Sequence, residues 1–306
     1  MKYFLLFFFA IQFATAQDPE IFSPEIFKDL PNVRDFALNK NGDELYFTIE
    51  SYRKEYSFIA VTHKINGKWS NPKVASFSGQ FKDLEPFLSP DGLTLFFASN
   101  RKTNNSNEAK NDVDIWYVKR SSLKSPWSEP INIGSIINTS ANEFYPSVTQ
   151  KGDLFFTAEY PNSKGKEDIY VSRFVDGKYT TPVSLSSNIN SNKYEFNAFV
   201  APDESFIIFT SNGHKNHLGR GDLYISKKDK NNNWLPAEHL GKKINSRGLD
   251  YCPFVDINSN TLYFTATKSN IKKSFSEKKG LDEILNFIDN NPNGLSRIYK
   301  TSLTEK

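Results

Sequence analysis

Leu84–Arg101 reads LEPFLSPDGLTLFFASNR. An extended run, Glu85–Ser89, meets a turn at Pro90–Asp91–Gly92 and continues as the apolar aromatic strand Leu93–Ala98. Proline presets the turn's φ, aspartate bonds the local backbone, and glycine accepts a positive φ, so the stretch encodes a β-hairpin. Four more segments follow the same template: Asp35–Thr48, Tyr145–Thr157, Asn197–Thr210 and Cys252–Thr265. Aligned on the second strand, Phe47, Phe97, Phe156, Phe209 and Phe264 are spaced by 50, 59, 53 and 55 residues. A period near 50 with about four strands per unit is the signature of a β-propeller.

Each unit has a second half. A third strand opens on an acid, an aliphatic and an aromatic residue: Asp114–Ile115–Trp116, Asp168–Ile169–Tyr170 and Asp222–Leu223–Tyr224, with Arg297–Ile298–Tyr299 in the last unit and the less regular Tyr56–Val61 in the first. An aromatic residue and a proline then precede a short outer strand, as in Trp127–Glu129–Pro130 and Tyr179–Thr181–Pro182. Proline at the start of an edge strand sacrifices no ladder bond. The expected fold is therefore all-β, a five-bladed propeller of four-stranded antiparallel blades, with six blades as the alternative if a degenerate stretch hides one. The fifth unit lacks its own outer strand. Pro24–Phe27 resembles Pro72–Ala75, so Ser23–Lys28 is expected to supply that strand and close the ring, which would otherwise leave bare strand edges.

Residues 1–16 combine Lys2, the apolar run Tyr3–Phe13 and Ala14–Thr15–Ala16, the pattern of a secretory signal peptide cleaved before Gln17. Residues 17–306 then form one domain, with no further run of membrane-spanning length. This places the protein in an exported compartment, periplasmic or extracellular. Cys252 is the single cysteine, so no intramolecular disulfide forms and the residue reads as a packed side chain. A net charge of +3 with interspersed signs argues against a nucleic-acid partner. Lys102–Asp112 reads as a mobile polar loop. An insert at 268–294 holds a helix over Leu281–Ile288, whose stripe Leu281, Ile284, Leu285 and Ile288 is expected to pack on the propeller.

Stacking the repeats brings chemistry-bearing residues into columns. Asp35, Glu85, Tyr145, Asn197 and Cys252 share one; Asp83, Glu143, Glu195 and Asp250 share the position two residues earlier, with Val33 in the first unit. Innermost strands line a propeller's channel, and residues i and i+2 share a strand face, so both columns are expected to ring one mouth. Asp83, Glu85, Tyr145, Glu143, Glu195, Asn197 and Asp250 are thus the candidate ligand-binding residues. Such acids suit Ca²⁺ in the channel, or, through Asp35, Glu85, Glu143 and Glu195, the paired carboxylates of a glycan-cleaving enzyme. The competing reading has them bonding backbone N–H groups within the scaffold. Other chemistry is thin. No G-x-S-x-G elbow, Gly-rich phosphate loop or S-x-D-x-G-x-x-W box occurs. His214 and His217 lack a third ligand, and Asp229–Asn233 lacks the Gly and closing Glu of a calcium loop.

The elements S-P-D-G, L-F-F-A-S-N-R, D-I-W/Y and W-x-x-P, with the recurrent Ile137–Asn138–Thr139, Ile189–Asn190–Ser191 and Ile244–Asn245–Ser246, resemble the WD40-like PD40 repeat of TolB-type propellers over residues 24–301. That resemblance implies an exported bacterial protein of the cell envelope. The expected role is a monomeric, cofactor-free binding or scaffold module that holds an envelope protein or a glycan at the channel mouth, with Arg101 and the 268–294 insert among its contacts.

Overall fold

The computed structural model describes residues 18–103 and 108–303. The leader reading of residues 1–16 lies outside them. Five antiparallel sheets follow one another along the chain as blades, with a separate two-stranded ladder, Phe174–Val175 against Lys178–Tyr179, beside the third. Blade 1 comprises Asn32–Leu38, Glu44–Glu50, Ser57–Ile65 and Lys73–Val74; blade 2 comprises Asp83–Leu88, Thr94–Arg101, Ala109–Lys119 and Ile131–Asn132. Blade 3 comprises Glu143–Val148, Leu154–Ala158, Asp168–Ser172 and Val183–Ser184; blade 4 comprises Glu195–Val200, Phe206–Ser211, Asp222–Lys227 and Glu238–His239. Blade 5 comprises Asp250–Asp256, Thr261–Ala266 and Arg297–Ser302, completed by Glu20–Ile21 from the start of the chain. The innermost strands touch in a closed circle, blade 5 against blade 1 included. The protein is a five-bladed β-propeller.

Each second strand is sandwiched between neighbouring blades, so it carries an unbroken apolar run. Phe47, Phe97, Phe156, Phe209 and Phe264 are all fully buried. The loop between blades drops one apolar side chain onto the next of these rings. Phe27 meets Phe47 edge-on at 4.9 Å, Phe77 meets Phe97 at 5.2 Å, and Ile137 and Ile189 join the clusters of Phe156 and Phe209. The asparagine after each isoleucine completes the third strand's ladder. Asn138, Asn190 and Asn245 each accept the N–H and donate to the C=O of one strand residue, Ile115, Ile169 and Leu223 respectively. The side-chain amide thus satisfies the strand N–H and shares the C=O with the backbone N–H of the residue that follows the outer strand.

Ring closure uses an N-terminal strand, but not the one expected. Ile21 pairs Tyr299, Glu20 pairs Lys300, and Phe22 N–H donates to Ile298 O at 2.9 Å. Pro24–Phe27 is a single helical turn, because Pro24 suits the first helical position and the loop must bring Phe27 down onto Phe47. Phe22 packs against Phe27, Phe36, Trp69 and Tyr263, joining both chain ends through one aromatic cluster.

Two loop expectations also change. Ala109–Asp112 belongs to the long third strand of blade 2, where Lys110 pairs with Asp112 and Asp114 at 2.8 and 2.6 Å. The insert helix spans Leu281–Asp289, with Glu283 accepting the Gly280 N–H, but buries no residue. Its Phe287 packs within the insert on Phe275, while Leu281, Leu285 and Ile288 face outward. Among the described residues no helix is long and apolar enough to cross a membrane.

Phe22→Ala removes the ring shared by the two chain ends. It should cost about 3–5 kcal/mol, the usual range for emptying a buried phenylalanine site. Urea unfolding measures this; a loss below about 1 kcal/mol would show that the clasp contributes little to stability.

Candidate functional site

Every inner strand carries a β-bulge, seen as a register shift against its partner: Arg34/Ala37, Leu84/Phe87, Phe144/Ser147, Phe196/Phe199 and Tyr251/Phe254. Inside each bulge lies one residue of the first column. Asp35, Glu85, Tyr145, Asn197 and Cys252 all have left-handed backbones, with φ between 49° and 62°, and none is glycine. Such strain persists only where the surroundings enforce it. For Asp35, Glu85, Tyr145 and Asn197 the enforcement comes from the preceding blade. The N–H groups of Asp35, Glu85 and Asn197 donate to Thr265, Thr48 and Thr157 at 3.2, 3.1 and 3.1 Å. Blade 2 has Ala98 in place of that threonine. Glu85 substitutes for it, its Oε2 accepting the Tyr145 N–H at 2.8 Å.

The centre of this ring holds a cation that is part of the chain. Arg34 Nε lies 3.0 Å from Asp35 Oδ1, its Nη2 is 2.5 Å from Glu85 Oε1 and 3.2 Å from Cys252 Sγ, and its Nη1 is 3.6 Å from Glu50. The Tyr251 ring lies 5.1 Å beneath the guanidinium. Burial opposes the charge, but Asp35, Cys252, Glu85 and Glu50 together outweigh it and hold the Arg34 pKa well above its ordinary value. Burial pushes Glu85 up to about 7 against the pull of Arg34, and pushes the Cys252 thiol well up. Glu85 has no idle oxygen: Oε1 accepts from Arg34 and Asn197, and Oε2 from Tyr145.

The second column lies apart from the axis. Glu143 bonds the N–H and hydroxyl of Thr139, Glu195 those of Ser191, and Asp250 those of Ser246. Asp83 takes Ser78 at 2.8 Å and Arg101 at 2.7 Å. In each case a buried acid ties the turn before its strand to the blade. The structure therefore brings Asp35, Glu85, Asn197 and the Tyr145 backbone together and keeps Asp83, Glu143, Glu195 and Asp250 in separate blade junctions.

Arg101 is correspondingly removed from the expected contact surface. It is buried over Phe97 and Trp116 and donates to Phe77 O. Tyr160 and His214 fill the same slot in blades 3 and 4, donating to Ile137 O and facing Ile189 O at 2.7 Å. His214 is thus a packed side chain rather than a metal ligand. Among the described residues no group of three or more His, Cys, Asp or Glu could hold a metal ion. The donor set at the axis does not fit Ca²⁺, because the Arg34 guanidinium lies among the acids that would bind it.

Above the ring a cavity of about 890 Å³ opens at the mouth, with Arg34, Glu85 and Asn197 among its lining. Its rim carries Glu167 and Tyr194 from the junction of blades 3 and 4, and Arg220 and Arg247 from that of blades 4 and 5. Burial pushes Glu167 up to about 7. The sequence reading missed these residues and Arg34. A signal existed for Arg34: its column otherwise holds Leu84, Phe144, Phe196 and Tyr251, so a lone charge there points to a partner at the axis.

No family model and no curated protein sequence matches the chain. Solved structures do. The catalytic domain of the GH62 α-L-arabinofuranosidase of Coprinopsis cinerea is 10% identical with a TM-score of 0.52, over 94% of this chain and 95% of that one. An endo-arabinase from Bacteroides thetaiotaomicron is 14% identical with a TM-score of 0.52, over 91% and 96%. TolB from Acinetobacter baumannii is 13% identical with a TM-score of 0.45, over 90% of this chain, which spans 55% of the TolB chain.

The buried acids give a pH signature. A carboxyl whose folded pKa lies above its unfolded value binds its proton more tightly when folded, so its stabilising contribution is complete below the unfolded pKa and is lost as pH rises through the folded one. Glu85, Glu143 and Glu167 are raised to about 7 and Asp250 to about 6. The protein should therefore have a higher urea midpoint at pH 5 than at pH 7.5, and Glu143→Gln should shrink that difference. An unchanged difference in the variant would remove Glu143 from the account. These similarities to solved structures extend to the fold alone.

Proposed function

We propose that this protein is an exported, non-catalytic binding module of a bacterial envelope, a leader over residues 1–16 followed by one monomeric propeller domain of the PD40 type. It holds a protein or glycan partner at the channel mouth. The observation that carries this reading is the charge state of the axis. Asp35 and Glu85 are paired to Arg34 and hydrogen-bonded to the backbone of the next blade, so neither offers a free carboxyl to a reacting bond. A wide cavity remains above them, and binding chemistry is what its rim supplies. The repeat pattern and the N-terminal leader sequence support the envelope assignment.

A second reading keeps the central carboxylates as catalysts on a glycan. It is favoured by the fold shared with an arabinofuranosidase and an endo-arabinase, and by the elevated pKa of Glu85, which suits a general acid near neutrality. Fold alone does not transfer activity.

Two measurements test the proposal. Expressed in a bacterial host, the chain should be recovered from the envelope fraction with Gln17 as its first residue by mass spectrometry; retained Met1 in the cytosol contradicts export. In a thermal-shift screen of glycans, a binder raises the melting temperature by mass action. Incubating each hit and analysing it for products decides between the readings: intact glycan is expected, and shortened chains that vanish in Glu85→Gln would establish the enzyme.

A further inference from the structure

Two segments at the junction of blades 4 and 5 run side by side. Arg220 N–H donates to Gly248 O at 2.9 Å, Gly221 and Leu249 form a parallel bridge, and Asp250 N–H donates to Gly221 O at 2.9 Å. Close approach requires glycine at two points. A Cβ on Gly219 would lie 2.3 Å from Gly248 O, and one on Gly248 would lie 2.6 Å from Thr267 O. This compact junction presents Arg220 and Arg247 together at the cavity rim, both exposed. Neither side chain has a partner among the described residues. The acids within the cavity do not neutralise them. Glu85 is committed to Arg34, and Glu167 belongs to the separate junction of blades 3 and 4.

The rest of the lining narrows the ligand. Phe144, Phe196 and Leu249, each partly buried, form an apolar wall over the Tyr145–Tyr251–Cys252 cluster. Side-chain amides and a hydroxyl from Asn197, Asn212 and Thr267 interrupt it. An apolar wall with scattered amides and hydroxyls suits a pyranose ring, whose C–H face is apolar and whose hydroxyls need both donors and acceptors. Two free guanidinium forks suit a carboxylate, which each can grip through two parallel hydrogen bonds.

We propose that the mouth binds a carboxylate-bearing carbohydrate, a uronic-acid oligosaccharide, with Arg220 and Arg247 gripping its carboxylates and the Phe144–Phe196–Leu249 wall contacting the sugar ring. This deepens, and rests on, the reading of the protein as a glycan-binding module.

Isothermal titration of the purified protein with tetragalacturonate tests it, with neutral galactotetraose and poly-glutamate as parallel probes. Tetragalacturonate should bind, galactotetraose at least about tenfold more weakly, and 0.5 M NaCl should weaken the former, since exposed charges are screened. Arg220→Gln and Arg247→Gln, both at exposed positions, should keep the melting temperature and each lose about tenfold or more in affinity, as expected for a hydrogen bond to a charged group. Equal binding of galactotetraose, unaffected by either variant, would overturn the acidic specificity and leave the glycan-binding reading standing. Poly-glutamate binding as tightly as tetragalacturonate would overturn the carbohydrate assignment in favour of an acidic peptide. No binding of any probe would overturn both this inference and the glycan reading beneath it.

Discussion

The Arg34 guanidinium, held among Asp35, Glu85, Glu50 and Cys252, is the interaction on which the channel depends. Three of its neighbours are carboxylates, two of them, Asp35 and Glu85, placed by strained bulges, and those charges would repel one another without it. An uncompensated buried charge is costly, whereas a buried pair removed as a unit is often tolerated. The network also spans blades. Arg34 and Asp35 belong to blade 1, Glu85 to blade 2 and Cys252 to blade 5, so one guanidinium joins the blade bearing the closing strand to the two that follow it. Glu85 then reaches forward to Tyr145 of blade 3 and Asn197 of blade 4. A single connected set of side chains thereby touches all five blades at the axis.

The legible part of this structure was the part that repeats. Hairpins, third strands and the aligned column of Asp35, Glu85, Tyr145, Asn197 and Cys252 follow from spacing, because each blade solves the same packing problem with the same residue types. Features set by a single blade were harder to read. Pro24–Phe27 looks like an outer strand, yet Phe27 performs the packing role of Phe77, and the true strand, Glu20–Ile21, is too short to show alternation. The insert stripe has helical spacing, but spacing alone does not say what covers it, and Leu281 is 72% exposed. The acids of the second column carried a repeat register because they serve the repeat, each bonding the Ser or Thr of the turn before its strand. Arg34 was hidden by its rarity: a charge in one blade of five reads as variation until its partners are seen.

The mouth departs from the symmetry of the ring. The junction of blades 3 and 4 and that of blades 4 and 5 share one backbone plan, each with a glycine pressed against the facing turn and a parallel bridge beyond it. On that shared plan the first displays Glu167 and Tyr194, and the second Arg220 and Arg247. The scaffold therefore fixes where side chains point, while the chemistry of the mouth is set by which residue each junction presents.

A double-mutant cycle between Arg34 and Glu85 tests the structural role of the axis most directly. Arg34→Met and Glu85→Gln are made singly and together, and each unfolding free energy is measured in urea. A structural pair predicts that each single change costs about 3–5 kcal/mol by stranding a buried charge or its donors, and that the double variant recovers much of this, giving a coupling of about 2 kcal/mol or more. Single costs below about 1 kcal/mol that simply add would contradict the account and free Glu85 for another role.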